Sequence, residues 1–162
     1  MITQERLREV LSYDDRAGTF VWRLKISKKV IVGSAAGGMN ASGYIVIGMG
    51  GKIYYAHRLA FIYMTGRAPE MIDHKDGDRA NNSWANLREA TSQQNILNAK
   101  LAANNTSGFK GVSWHRGAGK WSAYIILNER KRHLGLFDNP ERAHAAYLAT
   151  ARQAQPEFAR AS

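Results

Sequence analysis

Apolar residues first recur at helical spacing: Leu7, Val10 and Leu11 share one face of residues 4–12, with Thr3 placed as N-cap. The period then shortens. Phe20-Val21-Trp22 reads as a strand after the Ala17-Gly18 turn, and Tyr44–Met49 with Lys52–Ala56 as a hairpin turning at Gly50-Gly51. His57–Thr65 returns to an apolar helix that stops at Gly66, with Pro69 beyond it. Met71–His74 is a short extended segment running into a turn-rich stretch, KDGDRANNSWANLR. A helix follows with Thr91 as cap and Gln94 three residues on, the spacing of a capping box, which places Asn95 in its first turn.

That helix runs to about Lys100 and gives way to polar residues 102–107, the best linker in the chain. Lys110–His115, Lys120–Leu127 and Lys131–Phe137 then alternate as three strands, turning at Gly117–Gly119 and Asn128-Glu129. Asn139-Pro140-Glu141 is a strong helix start (cap, proline at the first position, acid in the first turn), and the helix reaches about Gln153. Its face of Ala143, Ala146, Tyr147 and Thr150 is narrow enough to lie close on a small sheet, and residues 155–162 read as a fraying tail. The fold class expected is α+β, with residues 1–101 as one domain, 102–107 as linker and 108–154 as a second domain.

Composition narrows the chemistry. The 162 residues contain no cysteine, which excludes disulfides and thiolate metal sites, so each part must fold on packing alone. No apolar run approaches the length of a membrane span, and the opening MITQERLREVL is a charged amphipathic helix rather than a signal peptide. A cytoplasmic protein is the expectation. The formal charge of +10 points to a polyanion, nucleic acid before membrane. The glycine-rich stretches Gly33–Gly38 and Gly48–Gly51 lack the Gly-Lys-Ser/Thr ending of a phosphate loop, so no nucleotide or other small-molecule cofactor is expected.

Asp73-His74, then Asn86 and Asn95, carries the candidate chemistry. Hydrolysing a phosphodiester needs a cation at the phosphate and a base for the attacking water. Asp73 and the side-chain carbonyl of Asn95 are hard oxygen ligands for one divalent ion, and two protein ligands leave room for phosphate and water. His74 is the natural general base. Asn86 either holds that imidazole or binds the loop that orients it. Adjacent strand residues project oppositely, so Asp73 and His74 converge only where the strand ends or kinks.

This block resembles the HNH endonucleases of the phage and intron-associated homing type. The matching pieces are His57-Arg58-Leu59, Asp73-His74-Lys75-Asp76-Gly77, Asn81-Asn82, Asn86-Leu87-Arg88 and Gln94-Asn95, within roughly residues 1–100. The resemblance implies a ββα-metal (His-Me finger) domain with Asp73 and Asn95 as metal ligands, His74 as general base and Asn86 in a structural role. With asparagine rather than histidine at the third position, Mg2+ (or Mn2+) is the expected ion, and without cysteine no structural zinc is expected. Arg58 and Arg88 are candidates for contact with the DNA backbone.

The C-terminal part resembles the apetala/ethylene-response-factor DNA-binding domain, through Gly111-Val112, Gly119-Lys120-Trp121, Leu134-Gly135-Leu136-Phe137 and Ala143–Tyr147. That implies a three-stranded antiparallel sheet packed on one helix, with its open face entering a DNA groove. Alternation puts Trp121, Ala123 and Ile125 under the helix and Ser122, Tyr124 and Ile126 on the open face, beside Lys131 and His133. Lys110, Ser113 and His115 stand where the family's usual arginines would be, and Arg116, Lys120, Tyr124, Lys131 and His133 complete the candidate DNA-binding set. The reading is a metal-dependent endonuclease of phage type in the host cytoplasm, acting as a monomer on double-stranded DNA without membrane contact. The rivals are a non-catalytic DNA-binding regulator on the same scaffold and an RNA binder stacking bases on Trp114 or Tyr124.

Overall fold

The computed structural model of the chain describes residues 2–102 and 104–159. It divides into two compact α+β units, Met1–Glu89 and Ala90–Ser162. The division falls earlier in the chain than residue 101, where the sequence places the end of the first domain.

In the first unit, α1 (Gln4–Val10) starts where Thr3 accepts the N–H of Arg6. It stops sooner than the sequence pattern indicates. Leu11 leaves the helix to begin β1 (Leu11–Asp14), which pairs antiparallel with β2 (Thr19–Trp22). The pairing stacks Tyr13 on Phe20, so tertiary packing claims residues whose local pattern also fits a helix. β3 (Gly38–Met39), β4 (Ile45–Met49) and β5 (Lys52–Tyr55) form a meander whose expected turn has Gly50 and Gly51 both at positive φ, as a tight two-residue hairpin requires. α2 (Ala56–Thr65) closes at left-handed Gly66, whose N–H reaches the carbonyl of Ile62. Leu7, Leu11 and Leu59 are fully buried in the resulting core, each contributing about 2 kcal/mol. Against it lie β6 (Ile72–His74) and its antiparallel partner β7 (Leu87–Glu89), joined by a hydrogen-bonded loop and a 3-10 turn at Trp84–Asn86.

The second unit opens with α3 (Ser92–Asn98), where Thr91 and Gln94 form both halves of the capping box. Leu97 of α3 packs with Ile125, Tyr147, Ala151 and Phe158, which ties this helix to the second unit. β8 (Val112–His115), β9 (Lys120–Leu127) and β10 (Arg130–Phe137) make an antiparallel sheet in the order β10-β9-β8, covered by α4 (Pro140–Ala154). Gly111 is required here, because a Cβ would lie 2.3 Å from the Tyr147 ring of α4. Ala103 of the expected linker lies outside the described residues. Its neighbours Asn105 and Ser107 bond the backbone of Gly108, Phe109 and Val112, shaping the entry to β8. The expected fraying of the tail does not extend to Phe158, which is buried in the core, while Arg160–Ser162 lie outside the described residues. Among the described residues no helix is long and apolar enough to cross a membrane.

Candidate active site

Asp73 and His74 end β6, and both are buried, at 4% and 6% exposure. The ladder stays regular through Asp73↔Arg88 and His74↔Leu87, so the two side chains leave the strand in different directions. Asp73 Oδ2 meets Arg88 across the ladder, 2.8 Å from Nε and 2.8 Å from Nη2. His74 Nε2 lies 3.2 Å from Asn82 Oδ1, and its ring stands edge-on to His57 at 5.1 Å between centroids. The strand breaks immediately after His74, whose carbonyl accepts the N–H of Gly77 at 2.8 Å.

The loop between β6 and β7 is held from inside. Asn86 Nδ2 donates to Asp76 Oδ1 at 3.0 Å and to the Asn81 carbonyl at 2.8 Å, and Asn86 Oδ1 accepts the N–H of Asp76. Asn86 therefore binds the loop, the second of its two expected roles, and Asn82 is the residue bonded to the imidazole. Burial opposes ionisation of Asp76, but the Asp78 N–H and the amides of Asn81 and Asn86 outweigh it and hold the carboxyl below its usual range. Asn81 extends the network to Asp76 Oδ2 at 2.7 Å and accepts from Ser83 Oγ.

Around His74 the aromatic neighbours are Tyr44, at 6.2 Å, and His57. His57 Nδ1 is buried without a hydrogen-bond partner among the described residues. Burial first, then the charges of His74 and Arg58, push its pKa down to about 3, so this ring is neutral at ordinary pH. Arg79 lies over the Tyr44 ring at 4.9 Å and donates to the Ser42 carbonyl.

As to metal binding, no group of three His, Cys, Asp or Glu suited to a metal occurs among the described residues. A lone buried carboxylate such as Asp73 matches a hard ion that keeps most of its water, though it already faces the Arg88 guanidinium. Asp73 belongs to the first unit, whereas Asn95 sits in α3 of the second, with its side chain exposed.

The other expected site residues fall as follows. Arg58 donates to the Glu70 carbonyl, and Arg88 is largely buried against Asp73. In the second unit, the register puts Ser113 beside Ser122, His115 beside Lys120, His133 beside Tyr124 and Lys131 beside Ile126 on the open face. Lys131 Nζ sits 4.0 Å over the Tyr124 ring, and Lys120 pairs with Asp138 at 3.1 Å. Arg116 is exposed in the β8–β9 turn. Lys110 instead donates to the carbonyls of Leu97 and Ala99, bracing α3. Trp121 packs against the sheet core, and Trp114 lies edge-on to it at 5.1 Å with half its surface exposed.

In sequence Asn81-Asn82 reads as turn chemistry, and nothing local says which amide of four reaches the imidazole.

Comparison with known proteins bears on the same stretch. A family model described as HNH endonuclease matches residues 54–97. Protein 3.8 of Escherichia phage T7 is 40% identical over 62 residues, covering 38% of this chain and half the length of that relative. An uncharacterized HNH endonuclease, L560, of Acanthamoeba polyphaga mimivirus is 28% identical over 144 residues, or 88% of this chain and 74% of that one. The solved structure of the HNH homing endonuclease I-HmuI, a protein that binds and cleaves DNA, aligns over 82% of this chain and 74% of its own with a TM-score of 0.44 and 22% identity. The buried Asp73-His74 pair and the amides that hold its loop lie inside residues 54–97, the stretch that matches the HNH endonuclease model.

Proposed function

We propose that this protein is a DNA endonuclease in which His74 takes the proton from the attacking water. The observation that carries the reading is the buried imidazole of His74, held at 3.2 Å by a side-chain amide within the HNH match and next in sequence to a buried carboxylate. As the water oxygen bonds to phosphorus, its proton passes to His74, the P–O3′ bond breaks and the departing 3′ oxygen takes a proton from solvent, giving a 5′-phosphate and a 3′-hydroxyl. A single Mg2+ or Mn2+, for which the family resemblance nominates Asp73 and Asn95, would supply charge stabilisation at the scissile phosphate. Asn86 keeps the loop closed under His74 through its bonds to Asp76 and Asn81. Arg88 orients Asp73, so its part is to position a carboxylate rather than to touch DNA.

In the same reading the open face of the second unit meets duplex DNA. Lys131, His133, Tyr124, Ser113 and His115 line it, a polar and basic strand surface of the kind that enters the major groove. Among the described residues Lys131 makes no ion pair, whereas Lys120 pairs with Asp138.

Supercoiled plasmid provides the test. The wild-type protein with Mg2+ is expected to nick it and chelator to stop the reaction. His74→Ala is expected to lower the rate about 100-fold or more while duplex binding, read by gel shift, stays within a factor of two. Cutting at full rate by His74→Ala ends the base assignment; retained DNA binding with no cutting by the wild type in any divalent metal favours a non-catalytic regulator.

A further inference from the structure

We propose that Asn82 is the positioning residue that selects the tautomer of His74, leaving Nδ1 as the nitrogen that takes the proton; this rests on the nuclease reading above. The second hydrogen bond of the Asn82 amide decides which of its ends faces the ring. Asn82 Nδ2 donates to the Ala80 carbonyl at 2.9 Å, and a carbonyl only accepts. That fixes Oδ1 toward His74, 3.2 Å from Nε2. An amide oxygen also only accepts, so Nε2 must carry the hydrogen. A neutral imidazole has one N–H, and Nδ1 is then the basic atom.

The amide is itself held from behind. Asn82 is 1% exposed, and its carbonyl accepts the Tyr13 hydroxyl at 2.6 Å from β1. The β1–β2 turn approaches so closely that a Cβ on Gly18 would lie 2.4 Å from the Asn82 carbonyl carbon and 2.3 Å from Ser83 N, at a φ of +70° that already favours glycine. Trp84 N–H closes the contact by donating to the Asp15 carbonyl at 2.7 Å. The N-terminal hairpin thus clamps the residue that aims the base, giving a role to an element outside the HNH match at residues 54–97.

NMR of the full-length chain with 15N-labelled histidine tests this at a pH where His74 is neutral, with His74→Ala assigning the signal. Couplings across the ring show which nitrogen is protonated. The wild type is expected to show Nε2–H alone; an Nδ1–H ring or a mixture overturns the proposal. Asn82→Leu removes the acceptor and is expected to give mixed tautomers and about a 100-fold fall in kcat for plasmid nicking, with KM within threefold. Asn82→Asp keeps an acceptor oxygen and is expected to keep Nε2–H; identical tautomers in the two variants overturn the proposal. If Asn82→Leu does not fold, Tyr13→Phe reads the same chain of contacts, with about a fivefold fall in kcat at unchanged KM. A wild-type protein that cuts no DNA but shows Nε2–H supports the assignment and removes the nuclease reading alone. One that cuts DNA with an Nδ1–H ring removes the assignment alone.

Discussion

His57 lies edge-on to His74 and keeps a buried Nδ1 with no hydrogen-bond partner among the described residues, its pKa pushed down to about 3 from an ordinary 6.5. The folded state therefore binds fewer protons there than the unfolded chain between those two values. A lowered histidine pKa means that this stability is fully present above about 6.5 and is lost as pH falls toward 3. Thermal unfolding followed across that window is expected to show a steeper acid decline in the wild type than in His57→Gln, which has nothing to titrate. Parallel curves would rule His57 out as the source. The proposed pair, Asp73-His74, stands out in the sequence because a carboxylate next to an imidazole, followed by amides, is a pattern that sequence displays. The assignment of amides does not stand out. Asn82 and Asn86 lie four residues apart in one turn-rich loop, and only its closure decides that Asn82 meets the ring while Asn86 meets the loop backbone.

At the scale of elements, the β9–β10 hairpin turns on two residues, Asn128 at φ 50° and Glu129 at φ 62°. Asparagine tolerates that left-handed region; glutamate has no local device to do so. Glu129→Gly is expected to stabilise the second unit by about 1 kcal/mol, read by urea unfolding, since both turn positions then suit the hairpin. A loss of stability would show that the Glu129 side chain contributes more than its backbone strain costs. Capped elements were legible: α3 and α4 begin where Thr91 and Asn139 place them. β1 and β7 were not. Leu11–Asp14 continues a helical pattern and Leu87–Glu89 spans three residues, so each becomes a strand only through its partner, β2 or β6.

For the molecule as a whole, charge is more segregated than the net value shows. No Asp or Glu occurs between Asp15 and Glu70, a stretch that holds eight Lys and Arg. The open sheet face of the second unit adds Lys131 beside His133. Binding to duplex DNA by such a chain is expected to fall steeply with salt, and Lys131→Ala to reduce the log–log slope by about 1 if Lys131 neutralises one phosphate. Fluorescence anisotropy over a salt series measures both; a flat salt response would exclude phosphate-dominated contact.

The sequence by itself determined the helix starts, the glycine turns, the face alternation of β9 and the Asp73-His74 pair proposed to carry the chemistry. Each of these depends on residues close in the chain, through capping, backbone permissiveness and a two-residue period. Only the tertiary structure decided that α3 packs within the second unit through Leu97, that Arg88 is spent on Asp73, and that Tyr13 and Gly18 brace Asn82. Those contacts join residues far apart in sequence, from β1 to the loop before β7. Their partners are chosen by burial and hydrogen-bond satisfaction in the folded chain, which no local pattern encodes.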